Sequence, residues 1–431
     1  TGNQKPKNII RTEVASNSRY KADFLTSGPL GGENSNTFYA LSGFYRYDEG
    51  PLKTGLPTEG FQLRGNLKHV TDKGSITFSG YFLTNFKHNF SDDLKLDAKL
   101  RYSRYKHQFN LFLDGSGVGG AKAVETQQEY LDARGLTSGT FTYLNGQPLA
   151  SNALLFENRI LDRNRPLTEL MADIKITKTT GNHSLTFGSF MSRSQAGDFN
   201  VITNYLGEYN DRPDLVELSG YSINGVTNRG TAYTNRNINS NKIAVFITDE
   251  IKLDRWNLDI GVRYERASGD IENEGTSSYN VDNTGIANLD NVIWGNGSWT
   301  RGRVSADDFA VALAALYKVD DNLSAYGNFS RGYFFPELRG TQFDGFGNPN
   351  SYDTEKIVQG ELGVKYGKNN FSGTVALYNV SLKDRRSISF VNAPGGGFIE
   401  EVDTQDTRTS GIEGTWKWGF ADNFDFSGSL T

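Results

Sequence analysis

The chain has 431 residues, a formal net charge of −5 and no cysteine, so disulfide frameworks and thiolate metal sites are excluded. It contains no block of basic residues, which argues against a nucleic-acid partner. It also lacks a run of about 18 apolar residues, so no transmembrane helix is predicted. A membrane barrel is still allowed, because only alternate residues of its strands meet lipid.

Alternation of apolar and polar residues with a period of two is the main pattern along the chain, and it predicts strands. In residues 94–102, Leu, Ala and Tyr at every second position alternate with Lys, Asp and Arg, and residues 258–265 alternate without exception. We predict about seventeen strands, over residues 7–15, 18–27, 37–47, 61–70, 75–83, 85–90, 94–105, 168–180, 185–194, 241–253, 257–267, 304–319, 323–335, 354–367, 371–378, 409–418 and 424–431.

The connections between these strands differ in length on the two sides of the sheet. Reversals after even-numbered strands are short and rich in Asp, Asn and Gly, whereas those after odd-numbered strands are mostly long. The longest predicted loops follow residue 105, with a short helix at 125–134, and cover residues 195–240. The connection near residues 83–85 is too short for its class, which indicates a small loop or missing residues.

Soluble sandwiches and membrane barrels share this alternation, and three features favour the barrel. Several predicted strands reach ten or more residues, near the 9–11 that span a bilayer, aromatic residues crowd strand ends, and turns and loops are segregated. The fold class predicted is therefore all-β, one large antiparallel up-and-down transmembrane β-barrel with short periplasmic turns and long extracellular loops. An open sheet of seventeen strands leaves backbone groups unpaired in lipid, so we expect the chain to be a fragment.

Several motifs resemble those of the TonB-dependent outer-membrane receptors. The segment SAYGNFSRGYFFPELRG resembles the family's Tyr-rich strand, YDTEKIVQGELGVKYG the strand after it, and RTSGIEGTWKW the next Gly-x-Glu strand. DFLTSGPLGGENSNTFYALSGFYRYDEG and DEIKLDRWNLDIGVRYE resemble an early turn and a mid-barrel hairpin. The wall residues that carry the resemblance are Ser330, Arg331, Gly332, Pro336, Glu337, Glu361, Gly363, Lys365 and Tyr366.

The resemblance implies a barrel of 22 strands that encloses an N-terminal plug domain. Residues 1–431 would then be the barrel domain, with about 17 of 22 strands, incomplete at both ends and without the plug. It implies active import, across the outer membrane of a Gram-negative cell, of a scarce large solute such as a siderophore or an oligosaccharide. Extracellular loops and the plug would bind the solute, and TonB would act through a plug domain outside this chain. No cofactor and no enzymatic activity are implied.

Aromatic side chains in the long loops are the candidate ligand contacts, because aromatic faces stack well on sugars and flat chelates. The alternative is that they belong to interfacial girdles or pack within the loops. For Arg331, a role in holding a loop or lining the wall is preferred over ligand contact. The substrate-binding candidates are Tyr205, Tyr209, Tyr221, Trp294, Trp299 and Arg331.

Two other functions share part of the pattern. A passive porin has the same polar lumen and long loops but lacks the motif series. An outer-membrane hydrolase needs a nucleophile beside a base, and no residue marks one. The four His residues form no His-x-x-His pair, so no zinc site is predicted. The neutral, Asn- and Gly-rich loops favour a sugar or a neutral chelate as the substrate.

Overall fold

The computed structural model describes residues 5–16, 18–32, 34–50, 58–79, 83–114, 124–281, 283–341, 343–344, 346–350, 352–392, 398–421 and 424–431. The strands are β1 Lys7–Ala15, β2 Arg19–Pro29, β3 Thr37–Asp48, β4 Thr58–Thr71, β5 Gly74–Ser79, β6 Leu83–Ser91, β7 Leu94–Asp114, β8 Glu125–Thr126, β9 Phe141–Tyr143, β10 Leu154–Thr180, β11 His183–Glu208, β12 Val216–Leu218, β13 Val226–Lys252, β14 Trp256–Asn280, β15 Asn291–Lys318, β16 Leu323–Phe334, β17 Glu355–Lys368, β18 Phe371–Asn392, β19 Phe398–Ala421 and β20 Phe424–Leu430. The helices are α1 Gln127–Ala133 and α2 Ala287–Asp290, with a 3₁₀ turn at Leu338–Gly340.

Seventeen of these strands form a single antiparallel meander in chain order, which confirms the predicted number and topology. Each pairs with the next, from β1 through β7 to β10, β11 and β13, and onward to β20. The short β8 pairs with the end of β10, and β9 pairs with β12 in a separate two-stranded sheet. Within the described residues, no ladder joins β1 to β20. Over the same residues, no helix has the length and apolar character to cross a membrane.

One face of the sheet, termed the outer face, carries an exposed apolar band at the end with the short turns. Water would disfavour so large an apolar surface, and alternation towards lipid explains it. The band includes Leu170, Ile174 and Ile176 of β10, Phe187 and Met191 of β11, Ile243, Val245 and Ile247 of β13, and Ile260, Val262 and Tyr264 of β14. Aromatic pairs such as Trp256–Tyr317, with ring centroids 4.7 Å apart, lie at the short-turn border of the band, as interfacial girdles do.

At the level of the apolar band, the opposite face, termed the inner face, is mainly polar. In β14, for example, Arg263 and Glu265 occupy inner positions and alternate with the outer residues Val262 and Tyr264. Directly paired residues of neighbouring strands lie on the same face. The division into an outer and an inner face therefore continues from strand to strand across the sheet. The inner face therefore corresponds to the lumen side of the predicted barrel.

Five central strands continue far beyond the apolar band. β10, β11, β13, β14 and β15 are 25 to 28 residues long, more than twice what a bilayer requires. Above the band the outer face becomes polar. It bears Asn235, Asn237 and Asn239 and the ion pair between Arg303 and Asp270. This projecting part of the sheet is termed the upper wall.

The prediction of a loop over residues 195–240 is wrong, because only residues 209–225 separate β11 from β13. The predicted loop after residue 105 is also shorter than expected, since β7 runs to Asp114 and β10 begins at Leu154. The physical reason is the same in both regions. Where the two faces of a strand do not differ consistently in polarity, the sequence shows no alternation to reveal it.

Two smaller predictions have different outcomes. The expected helix at 125–134 is confirmed as α1, which begins at a capping box formed by Thr126 and Glu129. The expected strand over 75–83 ends at Ser79, because Leu83 already belongs to β6. The connection there is residues 80–82, which lie outside the described residues.

Two compact hydrophobic cores lie at the long-loop end, on the inner face. The first is built by residues 124–153 and 209–225, together termed the cap, which pack on Leu155 and Leu206 of the wall. The second is built by residues 335–354, termed the inner loop, which pack on Ala267 and Ile271 of β14. Phe335 is one of the aromatic residues at the strand ends that favoured a membrane barrel, and it is buried in this second core.

Candidate ligand-binding site on the inner face

An arginine cluster lies on the inner face of the upper wall, where β10 and β11 pair. Arg163 donates from Nε and Nη2 to the two oxygens of Asp198, at 2.7 and 2.5 Å. Arg165 donates from Nε to Asp198 Oδ1 at 3.1 Å. Arg159 is buried four positions before Arg163 on the same face. Two guanidinium groups, those of Arg163 and Arg165, therefore share the single carboxylate of Asp198, which leaves an excess of positive charge in this part of the cluster.

The electrostatics of this cluster follow from its burial. Burial alone would raise the pKa of Asp198, but hydrogen bonds from Arg163 and Arg165 outweigh it and hold that pKa below its usual value. Burial lowers the pKa of Arg159, and the nearby Glu157 carboxylate opposes part of this effect. Within the described residues, the buried Nη2 of Arg165 has no hydrogen-bond acceptor. A buried donor without an acceptor is a position where a ligand oxygen would bind.

Aromatic side chains of β7 lie beside the cluster. The ring of Phe109 lies 5.9 Å from the guanidinium carbon of Arg165, and His107 stacks on Phe109 with centroids 4.8 Å apart. The ladder places His107 opposite Arg165 and Phe109 opposite Arg163. Guanidinium groups next to aromatic faces suit planar anions, which can hydrogen-bond and stack at once.

The cap is fixed to the wall by Glu157, whose buried carboxylate accepts four hydrogen bonds. Arg134 Nη2 of the cap donates to it at 2.7 Å and Tyr130 Oη at 3.1 Å. From the wall, Thr227 donates at 2.7 Å and Asn204 at 3.0 Å. Burial and the Glu157 charge raise the pKa of Tyr130, so this phenol stays a donor.

The guanidinium of Arg134 also lies 3.4 Å from the centre of the Tyr130 ring, which adds a cation–π contact to the same network. Because every donor of the network is matched, the cap is a rigid boundary of the lumen.

The inner loop is tied down where the β15–β16 ladder ends. That ladder stops at the pair Val311–Arg331. Just above it, Arg331 donates to Asp308 at 2.6 Å and stacks over the ring of Phe309 at 4.1 Å. Thr354, at the end of the inner loop, donates to the other Asp308 oxygen at 2.7 Å. Arg331 therefore bridges β15 and β16 just above the end of their ladder, at a junction termed the seam.

The aromatic candidates do not gather at the arginine cluster. Tyr205 lies within β11 on the outer face, and Trp299 lies within β15 opposite Glu274. Trp294 packs 5.0 Å from Tyr233 in a cluster that also contains Phe199 of the outer face.

The other two aromatic candidates belong to the cap and its border. Tyr221 packs against the cap core, 6.3 Å from Tyr130. Tyr209 is 57% exposed and packs at its edge on Phe156. Only Tyr209 keeps most of its ring accessible at the rim, and ligand contact by any of the five stays a prediction.

The signature residues of the wall have clear packing roles. On the inner face, the Tyr326 ring lies across Gly363, and its hydroxyl donates to Glu361 at 2.5 Å. The Lys365 ammonium lies over the same ring, 4.9 Å from its centre. Ser330 continues the same inner row.

The remaining signature residues lie at the ends of these strands. Tyr366 is outward, near Phe371. Beyond β16, Pro336 is buried and the exposed Glu337 pairs with Arg339 at 2.9 Å. Gly332 leaves room for Ile357, whose Cγ2 would lie 3.1 Å from an added Cβ.

The arginine cluster was missed because its residues were assigned to a loop. The segment RILDRNRP contains the pattern that predicts the cluster, because its arginines at 159, 163 and 165 are separated by even numbers of positions. In a strand, residues an even number of positions apart lie on the same face, so all three arginine side chains share one face. Over the described residues, no three His, Asp or Glu side chains converge as a metal site would require.

The sequence match decides the family. Residues 17–431 match the profile described as TonB dependent receptor-like, beta-barrel. The chain belongs to this TonB-dependent receptor family. The family is one of outer-membrane barrels, and its members with solved structures are receptors and transporters. No curated protein sequence matches the chain.

Solved TonB-dependent receptors share the fold at low identity. The ferric yersiniabactin uptake receptor FyuA from Yersinia pestis is 13% identical, with a TM-score of 0.56, over 99% of this chain and 60% of its own. The ferric-catecholate import receptor Fiu from E. coli K12 is 12% identical, with a TM-score of 0.58, over 98% of this chain and 63% of its own. The copper transporter OprC is 12% identical, with a TM-score of 0.58, over 99% of this chain and 61% of its own. The chain thus spans about three fifths of the length of these receptors.

Proposed function

We propose that the chain forms the barrel of an outer-membrane receptor that imports an anionic metal chelate, such as a ferric siderophore, with energy supplied through TonB. The observation that carries the substrate class is the inner-face cluster in which Arg163 and Arg165 share the single carboxylate of Asp198. The Arg165 Nη2 donor without an acceptor and the adjacent Phe109 ring would contact the chelate. TonB would act through a plug domain carried outside the residues of this chain.

The fold relatives support a chelate as the first ligand class to test. Their names describe uptake of ferric yersiniabactin, import of ferric catecholates and transport of copper. A neutral oligosaccharide is the second candidate, and the Asn-rich surfaces of the upper wall favour it. The two ligands differ in charge, so the arginine cluster discriminates between them.

Energised import is tested by uptake of radiolabelled ferric chelates into cells that express the whole receptor. Saturable uptake that stops when an uncoupler collapses the proton gradient is the expected result. Uptake that rises linearly with concentration and survives the uncoupler would instead identify a passive porin.

The ligand site is tested with Arg165→Gln in the purified receptor. We expect its affinity for an anionic ferric tris-catecholate to fall about tenfold, as for a lost charged hydrogen bond. Its affinity for a neutral ferric hydroxamate should change much less. Arg104→Gln, which removes an exposed arginine from the outer face, is the matched control and should bind both chelates as the wild type does. Equal affinity of R165Q and wild type for every anionic chelate would refute the site.

A further inference from the structure

A polar cleft lies on the outer face of the upper wall, directly above the apolar band. Its volume is about 520 Å³ and it crosses β7, β10, β11 and β13. The outer-face side chains that line it are Tyr102, Arg104, Thr168, Gln195, Asn237 and Asn239, with Glu272 at the far rim. The ligand site proposed above is on the opposite face of the same strands, so this cleft has a separate role.

The cleft exists because the β10–β11 ladder is interrupted at Pro166 and Gly197. The ladder pairs Asn164 with Phe199 and resumes at Leu167 with Ala196. Between these pairs Pro166 has no N–H to donate, and Gly197 has no side chain to fill the outer surface. An added Cβ on Gly197 would lie 3.2 Å from the Pro166 ring. The floor of the cleft is therefore bare backbone beside a proline ring.

Basic residues lie on the β7–β11 side of the cleft, where Arg104 lines it and Lys106 and Arg193 lie beside it. Arg104 pairs with Thr168, Lys106 with Pro166 and Arg193 with Leu170, so the three occupy adjacent rows of the outer face. All three are exposed.

Their charges are not neutralised by the surrounding side chains. Within the described residues, no carboxylate forms an ion pair with Arg104, Lys106 or Arg193. At the far rim, Glu272 is already paired with Arg301 at 2.8 Å. A dianionic group such as a phosphate would be attracted to this side of the cleft.

The surface below the cleft is apolar and that inside it is rich in amides. Leu100, Leu170, Met191 and Ile243 are each 45 to 52% exposed in the rows just beneath. A molecule bound here would rest its apolar part on the band and its polar part among the amide groups. Amides donate and accept hydrogen bonds at once, which suits sugar hydroxyls.

We propose that this cleft binds one phosphorylated glycolipid of the outer leaflet. Its phosphate would lie between Arg104 and Arg193, its sugar among Gln195, Asn237 and Asn239, and its acyl chains on the band below. The inference rests on the membrane location in the proposed function. A glycerophospholipid offers a phosphate but fewer hydroxyls, so the amide lining favours the glycolipid over it.

The test is native mass spectrometry of the detergent-solubilised receptor titrated with bis-phosphorylated lipid A. We expect R104Q/R193Q to lower the affinity at least tenfold and N237A/N239A to lower it several-fold. Arg266→Gln, another exposed outer-face arginine that does not line the cleft, should bind as the wild type does. Dephosphorylated lipid A should bind the wild type no better than it binds R104Q/R193Q.

Equal affinity of R104Q/R193Q and wild type for lipid A would overturn the inference. So would phosphatidylglycerol that binds as tightly as lipid A and responds to the same substitutions. Flotation of the wild type with outer-membrane vesicles separates this failure from failure of the proposed function. A receptor that floats and binds chelates, yet shows no dependence on Arg104 and Arg193, refutes the glycolipid site alone.

Discussion

Arg331 and Asp308 form an ion pair of 2.6 Å across the point where β15 and β16 separate, and the Asp308 side chain there is only 7% exposed. Arg303 and Asp270 form a pair of the same length on the outer face, where the arginine is 75% exposed. The two pairs have the same shortest distance but differ in burial. Their energetic contributions should therefore differ, because water screens only the exposed pair.

We predict that Arg331→Ala destabilises the folded barrel by about 3 kcal/mol, since it leaves a buried carboxylate without its charged partner. Arg303→Ala should cost less than about 1 kcal/mol. Denaturant unfolding of the refolded protein in detergent, followed by tryptophan fluorescence, measures both. Equal losses for the two variants would show that the seam between β15 and β16 does not depend on the buried pair.

The cap should depend on Glu157 more than on any single donor to it. Glu157→Ala leaves Arg134, Tyr130, Asn204 and Thr227 without their shared acceptor, so we expect the cap to open locally. Tyr130→Phe removes one donor and should cost about 1 kcal/mol. Hydrogen exchange measures this opening as faster exchange of α1 and of residues 216–222. Protection unchanged in E157A would contradict the proposed role of this carboxylate.

The strands could be predicted from sequence only where the two faces differ. In the apolar band, Val262 and Tyr264 alternate with Arg263 and Glu265, and that contrast gave the correct number of strands. In the upper wall the contrast is lost, as in the polar run from Asn235 to Asn241. The pattern there predicts a loop, although pairing with β11 and β14 makes these residues strand.

The arginine cluster could not be predicted from the sequence for the same reason. Residues an even number of positions apart share a face only in a strand. In a predicted loop, Arg159, Arg163 and Arg165 therefore have no common face. Asp198 joins them only through the β10–β11 registry, a long-range relation that local pattern does not contain. Aromatic residues were favoured instead, because composition alone marks them. Three of the five, Tyr205, Trp294 and Trp299, lie in strands.

Asp198 predicts a pH dependence of stability. Its pKa is lower in the folded state than the ordinary value of 3.8, so its ionised form stabilises the fold. That contribution is complete above pH 3.8 and is lost as the pH falls through the lower folded-state pKa. The stability difference between wild type and Asp198→Asn should therefore be constant from pH 5 to 7 and shrink below about pH 4. A difference that grows on acidification would contradict the assignment.

Gly363 and Gly360 lie on the same strand, three residues apart and on opposite faces, so they provide a matched pair of substitutions. A Cβ at Gly363 would lie 2.6 Å from the Tyr326 ring, whereas one at Gly360 would have no atom nearer than 3.8 Å. We predict that Gly363→Ala costs about 1–3 kcal/mol through overpacking. Gly360→Ala should be neutral or slightly stabilising, because alanine restricts the unfolded chain.

The same substitution tests the cause as well as the size of the effect. If the Tyr326 ring is what excludes a side chain at Gly363, Tyr326→Ala should remove most of the penalty of Gly363→Ala in a double-mutant cycle. Unfolding free energies of the four proteins give the coupling between the two residues. A coupling near zero would mean that Gly363 is needed for its backbone alone, and that the contacts of Tyr326 with Glu361 and Lys365 form independently of it.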